Sequence, residues 1–386
     1  MAQQLARAVK HTLRNTLPEA EVLGFASGDL AHGAGAGPAA PEVEVVVHAS
    51  PHVLATRLQG RLSQRSPVTP ALDPRKLQKS AIRACTDRLV SAGGFKFRRS
   101  AFRSQEPKVT LLAPASLGIY PEAIPIDFSV NSTTPLYCTA LLKECGRLAP
   151  RAKSLILLVK RWAKDRGVCH AAKGHLSPYA WSLLAVYFLQ VGFEDEGPML
   201  PPLAGCELPP GLTVSPGSAA APSGRLAGAR WTALPGNGTD KSVGVLFKEF
   251  VRFYSRHFNW RDEAVCVRSG RRSPPDVALP LHVILHDDGT TTEIGPSIED
   301  PFEQKRNLGE CTTEASLARM REELVRAEEL CKHGASLAEI LDPWVPPERG
   351  GGHRGREEDE DEPEEGARAA ARAAAQQHAW RSPAAA

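Results

Sequence analysis

The chain lacks the segments that would place it in a membrane or direct it to secretion. None of its apolar runs approaches the roughly 20 residues that a membrane-spanning helix needs. Residues 1–17 contain basic side chains and no acid, without the apolar core of a signal peptide. We therefore expect an intracellular protein, cytoplasmic in the simplest case. A mitochondrial presequence is the alternative interpretation of that basic start, and a leading helix before the first strand is the preferred one.

Paired cysteines are also missing. The eight cysteines include no Cys-x-x-Cys pair, so no zinc finger is indicated and reduced thiols are the simplest interpretation. The hydrophobic content of 42% and the charged content of 24% are ordinary for a globular protein, and 386 residues suffice for two domains with separate cores.

Two segments have a different composition from the rest. Residues 195–240 are rich in Pro, Gly and Ala, which predicts a mobile loop. Residues 346–386 contain an acidic run followed by an Ala/Arg segment, which predicts a disordered tail.

An acid stands in the middle of a predicted apolar strand. Residues 124–131 read Ile-Pro-Ile-Asp-Phe-Ser-Val-Asn, and strand alternation points Asp127 away from the face that carries Ile126 and Phe128. An unpaired carboxylate there would cost several kcal/mol. A metal ion shared with other carboxylates would hold it. The alternative is an acid at a strand edge, either paired with an Arg or solvated.

Further carboxylates lie upstream on a β-branched strand. Glu42 and Glu44 leave the same face of residues 42–48, opposite the valines at 43, 45 and 47. If this strand lies beside the one with Asp127, three carboxylates converge in a divalent-cation site that could clamp a nucleoside triphosphate. The turn at residues 24–28 would offer the Ser27 hydroxyl and backbone N–H groups to phosphates. Glutamates alternating on a solvated face are the plainer interpretation.

Two lysines lie one turn apart on a predicted core helix. Lys160 and Lys164 lie four residues apart and share one face of the helix predicted from the apolar stretch 155–163, so they either face solvent or bind a shared anion. Residues 176–190 predict a second core helix with Pro178 in its first turn.

Four stretches carry a family resemblance, in order along the chain: Ile126–Asn131, Leu157–Lys164, Leu176–Leu184, and Ile298–Glu303 followed by Asn307-Leu-Gly. With them the chain resembles the terminal nucleotidyltransferases of the polymerase-β-like superfamily, which include terminal uridylyltransferases and poly(A) polymerases. The resemblance spans about residues 3–342. It implies an α+β fold with a catalytic domain at 1–136, a mainly helical PAP-associated domain at 137–345 and the tail beyond.

The resemblance also implies roles for individual residues. The metal ligands and catalytic acids, for Mg²⁺ or Mn²⁺, would be Glu42, Glu44 and Asp127. The nucleotide-binding residues would be Ser27 and Thr139, the triphosphate ligands Lys160 and Lys164, the base-stacking Tyr179, and Asp300, Glu303 and Arg306 near the base edge.

The chain departs from the family pattern at its opening and in its base site. Ala26-Ser27 replaces a Gly-Ser turn, and Glu42-Val43-Glu44 replaces an Asp-x-Asp or Asp-x-Glu pair. Cys138 stands where the family usually has Asn, beside the retained Thr139. Arg306 stands where uridylyl-adding members tend to carry His.

The implied reaction is addition of UMP or AMP, from the triphosphate, to an RNA 3′-hydroxyl by two-metal catalysis. The expected partners are the RNA 3′ end, UTP or ATP, and a protein that helps to choose targets, because no RNA-recognition module is visible. A catalytically inactive scaffold is the main alternative, since Glu in place of Asp moves the ligand oxygens by about 1.5 Å. A different transferase on the same fold is the second.

Overall fold

The computed structural model describes most of the chain in eight stretches: residues 1–26, 43–62, 73–102, 106–193, 197–203, 240–276, 278–285 and 292–345. These residues form two compact units, one from Met1 to Pro135 and one from Leu136 to Val345. Ser27, Glu42, most of the predicted loop at 195–240 and the predicted tail lie outside the described residues.

The first unit is built on a five-stranded mixed sheet. In chain order the strands are β1 (Glu21–Ala26), β2 (Val43–His48), β3 (Lys96–Ala101), β4 (Lys108–Ala113) and β5 (Ile124–Val130). Their order in the sheet is β1-β2-β5-β4-β3. The central pair, β2 and β5, is parallel, and the other three pairs are antiparallel.

Three helices accompany this sheet: α1 (Ala2–Leu13), α2 (Pro51–Leu62) and α3 (Pro74–Gly93). The ends of α3 follow from local sequence. The Asp73 side chain accepts a hydrogen bond from the Arg75 N–H, Pro74 fits the first helical position, and Gly94 ends the helix with φ 70°. Apolar side chains of all three helices form one core with those of β2, β4 and β5.

The second unit is mainly helical. Its helices are α4 (Thr134–Leu148), which begins in the first unit, α5 (Pro150–Asp165), α6 (Pro178–Val191), α7 (Val243–Arg252), α8 (Glu314–Lys332) and α9 (Leu337–Ile340). Four short strands accompany them: β6 (Ala264–Val265), β7 (Val283–Leu285), β8 (Thr292–Ile294) and β9 (Ser297–Ile298). Residues 179–190 of α6 are all buried, as the apolar sequence of this helix predicts.

The sequence prediction located most of these elements. The predicted strands that carry Glu44 and Asp127 are present as β2 and β5. Helix α2 and the four short strands of the second unit were not predicted. No helix among the described residues is long and apolar enough to cross a membrane. The seven cysteines that the structure describes form no disulfide.

A buried ion pair ties α5 to α8. Arg166, at the end of α5, donates from Nε and Nη2 to the two carboxylate oxygens of Glu323, each at 2.9 Å. The side chains are 7% and 2% exposed. Arg319 also contacts this carboxylate, and Arg166 donates to the carbonyl of Asp342. The pair therefore joins two helices and the segment that follows α9.

We expect Glu323→Gln to destabilise the protein by about 3–5 kcal/mol, because it leaves the Arg166 guanidinium buried without its counter-charge. Urea unfolding of the full chain measures this change. The matched control is Glu329→Gln on the same helix, because Glu329 forms an exposed pair with Arg256. The control should leave the unfolding midpoint unchanged. Equal midpoints for Glu323→Gln and the wild type would contradict the stabilising role of the pair.

Candidate functional site

A row of polar side chains crosses one face of the five-stranded sheet. Glu44 on β2 lies opposite Asp127 on β5, Asp127 lies opposite Thr110 on β4, and Thr110 lies opposite Arg99 on β3. Residues opposite one another on neighbouring strands point to the same face and are about 4.8 Å apart across the sheet. The structure therefore brings Glu44 and Asp127 together, as the sequence predicts.

The opposite face explains why the acids lie where they do. Val43 pairs with Ile126 and Val45 with Phe128, and all four side chains are buried in the core. Alternation then forces Glu44 and Asp127, which lie between these pairs, onto the other face.

Both carboxylate oxygens of Asp127 are engaged. The Lys108 ammonium lies 2.6 Å from Oδ2, and the Thr110 hydroxyl donates to Oδ1 at 2.7 Å. The side chains of Lys108 and Asp127 are 37% and 27% exposed. The strand pattern alone suggests an Arg partner or a metal for Asp127, whereas the partner in the structure is Lys108. The signal was available, since Lys108 and Thr110 alternate with the apolar Val109 and Leu111.

Charge keeps this group of side chains ionised. Burial acts to raise the pKa of Asp127, but Lys108, Thr110 and Arg99 together hold it below its ordinary value. Burial likewise acts to lower the pKa of Lys108, but Asp127 and Glu44, with a smaller effect from Glu106, raise it above the ordinary value. Asp127 is therefore a carboxylate at neutral pH and Lys108 an ammonium.

The donor set at this face fits a hard divalent cation. Glu44 and Asp127 offer carboxylate oxygens from neighbouring strands, which are ligands that Mg²⁺ and Mn²⁺ accept. Within the stretches that the structure describes, no cluster of three or more His, Cys, Asp or Glu side chains forms a complete metal site. The third predicted ligand, Glu42, lies outside these stretches.

The two predicted phosphate lysines lie on α5 in the second unit. Lys160 is buried, with 4% of its surface exposed, whereas Lys164 is exposed. Lys160 is therefore not part of a solvent-exposed stripe of lysines. Burying an ammonium requires compensating contacts, so this position is more constrained than the sequence pattern alone indicates.

The predicted base-site residues form a cluster around Asp300. The Tyr179 hydroxyl donates to Asp300 Oδ1 at 3.3 Å, and the Phe302 N–H donates to the same oxygen at 2.9 Å. Arg306 Nη1 lies 3.4 Å from Asp300 Oδ2 and 3.9 Å from Glu303 Oε2. Asp300 is fully buried. This burial raises its pKa to about 6, against the opposing effects of the Phe302 and Glu303 amides and of Arg306.

Asp300 therefore organises the turn at 300–303, which is the plain role of an Asp-Pro sequence. Glu303 and Arg306 line an open surface depression with Phe302 and the neighbouring residues 278, 304 and 305. Tyr179 is buried, and its ring is covered in this structure.

The start of α4 contacts the same turn. The ring of Tyr137 stacks on that of Phe302, with centroids 4.5 Å apart and an angle of 26° between the planes. Thr139 lies half-buried on this helix and the neighbouring Cys138 is buried. The sequence analysis did not single out Tyr137 or Phe302, because nothing local marks two aromatic residues as a stacked pair.

Comparison with known proteins supports the family resemblance. Residues 242–306 match the model of the Cid1 family of poly(A) polymerases. Terminal uridylyltransferase cid1 of Schizosaccharomyces pombe is 26% identical over 236 residues, which cover 59% of this chain and 55% of that protein. Poly(A) RNA polymerase GLD2 of Mus musculus is 25% identical over 173 residues, which cover 40% of this chain and 30% of that protein. The chain thus spans about half, or less, of these relatives.

The fold is shared more widely than the sequence. A solved structure of Cid1, described as having RNA terminal uridylyl transferase activity, superposes with a TM-score of 0.58 at 20% identity. The superposition covers 89% of this chain and 93% of the Cid1 chain. It confirms the predicted fold class, an α+β polymerase-β-like unit together with a PAP-associated helical unit.

The ordered motifs, the family-model match, the curated relatives and the shared fold all agree that the chain is similar to the terminal nucleotidyltransferases.

Proposed function

We propose that the protein is a template-independent RNA 3′-terminal nucleotidyltransferase that transfers UMP or AMP from the triphosphate to an RNA 3′-hydroxyl. The observation that carries this proposal is the in-register pair of Glu44 and Asp127 on the polar face of the sheet. The relatives' names, terminal uridylyltransferase and poly(A) RNA polymerase, support the same reaction.

In the proposed mechanism, the acids of the sheet act on the attacking hydroxyl. Asp127, a carboxylate at neutral pH, orients the RNA 3′-hydroxyl and accepts its proton. Glu42, Glu44 and Asp127 would hold Mg²⁺ or Mn²⁺, and one solved Cid1 structure is described as bound to MgATP. Bound metal ions would stabilise the charge that develops on the attacking oxygen, the α-phosphate and the pyrophosphate.

The second unit would bind the nucleotide. Lys160 and Lys164 are the proposed triphosphate ligands, and Ser27 is proposed as a further phosphate ligand. Thr139 is the proposed contact for the ribose and the base. Stacking of the base on Tyr179 requires the ring, which is buried in this structure, to become uncovered. The burial of Lys160 distinguishes it from a solvated surface lysine and supports a specific role for this side chain.

Base choice would depend on the residues around Asp300. Asp300 and Glu303 can accept a hydrogen bond from uracil or adenine, so they do not discriminate between them by themselves. Arg306 lies against both acids in the structure, which favours a site in which this side chain does not read the base.

The proposed partners are an RNA 3′ end, UTP or ATP, and a protein that selects targets. One solved neighbour is described as a cytoplasmic RNA terminal U-transferase, and we extend that compartment to this protein, with mitochondria as the alternative.

A second candidate function is a catalytically inactive scaffold that binds RNA or protein. Two observations favour it specifically: the longer Glu42 and Glu44 in place of the family acids, and the Lys108 ammonium bonded to Asp127. The activity assay below separates the two functions.

The purified protein should extend a labelled RNA primer with UTP or ATP in the presence of Mg²⁺ or Mn²⁺, and Asp127→Ala should abolish extension. Loss of the carboxylate removes both the proton acceptor and a metal ligand. The matched control is Glu122→Gln, an exposed carboxylate just before β5, which should extend the primer at the wild-type rate. Circular dichroism checks that both variants fold. A wild-type protein that is inactive with all four nucleotides and both metals would contradict the transferase function and favour the scaffold.

Replacing Lys160 or Lys164 by Ala should weaken nucleotide binding by about 1–3 kcal/mol each, the usual worth of a charge-assisted contact. Calorimetry with UTP and ATP measures the change. Lys143→Ala on α4 is the matched control, because Lys143 is an exposed lysine on a neighbouring helix. Nucleotide affinity that is unchanged in the double variant would remove both lysines from the triphosphate site.

UTP should be preferred over ATP only modestly, well short of the several-thousand-fold preference that a committed hydrogen-bonding site can reach. The reason is that Arg306 is occupied by Asp300 and Glu303. Competition between the two triphosphates on one primer measures the ratio. A preference above about a thousandfold for either base would show that another residue reads it.

A further inference from the structure

Lys108 on the polar face bonds directly to a predicted catalytic acid, Asp127. Its ammonium lies 2.6 Å from Asp127 Oδ2 and also interacts electrostatically with Glu44 and Glu106. Three carboxylates therefore act on a single ammonium. The proposed reaction assigns no role to this lysine.

Lys108 lies where its positive charge reduces the repulsion between two neighbouring carboxylates. Glu44 and Asp127 face each other on adjacent strands, and like charges at that spacing destabilise a sheet. The Lys108 ammonium offsets this repulsion without a metal. A divalent cation bound between Glu44 and Asp127 would reduce the same repulsion.

The same contact restricts metal binding. Thr110 and Lys108 each engage one oxygen of Asp127. A carboxylate oxygen has more than one lone pair, so the Thr110 hydrogen bond can coexist with a metal on Asp127. A divalent cation cannot share this place with the ammonium at low cost, because the two positive charges would lie within a few ångströms of each other.

A second acid is available to Lys108 if it leaves Asp127. Glu106 lies two residues before it on the chain and accepts hydrogen bonds from Ser132, at 3.2 Å, and from Thr134 at the start of α4. The ammonium thus has another carboxylate nearby that is already held in place.

We propose that Lys108 is a built-in counter-cation of the catalytic face that exchanges with the divalent metal: it neutralises Asp127 and Glu44 in the metal-free protein and moves to Glu106 when the metal binds. This inference rests on the metal-binding part of the proposed function. Lys108 is a positioning residue, since it acts through Asp127 and takes no part in bond making.

Manganese binding without nucleotide or RNA tests the exchange. Lys108→Met should bind Mn²⁺ roughly tenfold more tightly than the wild type by calorimetry, because the metal no longer has to break an ion pair. The melting temperature of the metal-free variant should fall, and added Mn²⁺ should raise it by more than it raises that of the wild type.

The matched control is Arg99→Gln. Arg99 acts on Asp127 electrostatically and bonds the Thr110 hydroxyl, but it is not the cation on Oδ2. The Arg99→Gln variant loses a nearby positive charge but keeps the Lys108 ammonium on Asp127. It should therefore tighten Mn²⁺ binding much less than Lys108→Met does. Equal gains in both variants, or no gain in Lys108→Met, would overturn the exchange.

A measurement on the wild type covers the case in which Lys108→Met does not fold. Acetylation of lysines, followed by mass spectrometry, should show Lys108 becoming more reactive as Mn²⁺ is added, while the exposed Lys143 stays constant. Unchanged labelling of Lys108 at saturating Mn²⁺, or no Mn²⁺ binding up to millimolar concentration, would overturn the proposal. These outcomes are independent of the primer assay, so failure of the exchange and failure of the transferase function are distinguishable.

Discussion

The parallel register between β2 and β5 is the constraint on which the candidate site depends. Val43 and Val45 pair with Ile126 and Phe128 inside the core, and this pairing places Glu44 beside Asp127 on the outer face. A slip of one residue would move the acids into the core and the apolar side chains out. The burial of the apolar pairs therefore determines which residues of β2 and β5 lie opposite each other, and this register places the two acids side by side.

That geometry carries an electrostatic cost, which the neighbouring strand offsets. Two carboxylates side by side repel each other, and β4 supplies Lys108 and Thr110 to hold Asp127. The resulting site is partly exposed, and the positive charge of Lys108 offsets the negative charge of its carboxylates. A divalent metal ion would need the same carboxylates, so the contact that stabilises the metal-free sheet also bears on metal binding.

The sequence predicted those features that depend on periodicity along one segment. The facing of Asp127 follows from alternation, and the burial of α6 follows from its continuous apolar run. Features that depend on which segments become neighbours could not be predicted in this way. The Lys108 contact needs the β4 and β5 pairing, and the stack of Tyr137 on Phe302 joins residues far apart in sequence. The burial of Lys160 likewise depends on tertiary packing, because helical spacing alone gives its face and not what covers that face.

In the proposed function, the facing pair of Glu44 and Asp127 supports nucleotide transfer to RNA. The most direct measurement is the rate of nucleotide incorporation into a labelled RNA primer by the wild type and by Glu44→Gln, at saturating UTP or ATP with Mn²⁺. The account predicts incorporation by the wild type and a loss of about a hundredfold or more in the variant, because the amide keeps the shape of the side chain and removes its charge. Equal rates in the two proteins, or a folded wild type that incorporates no nucleotide, would contradict it.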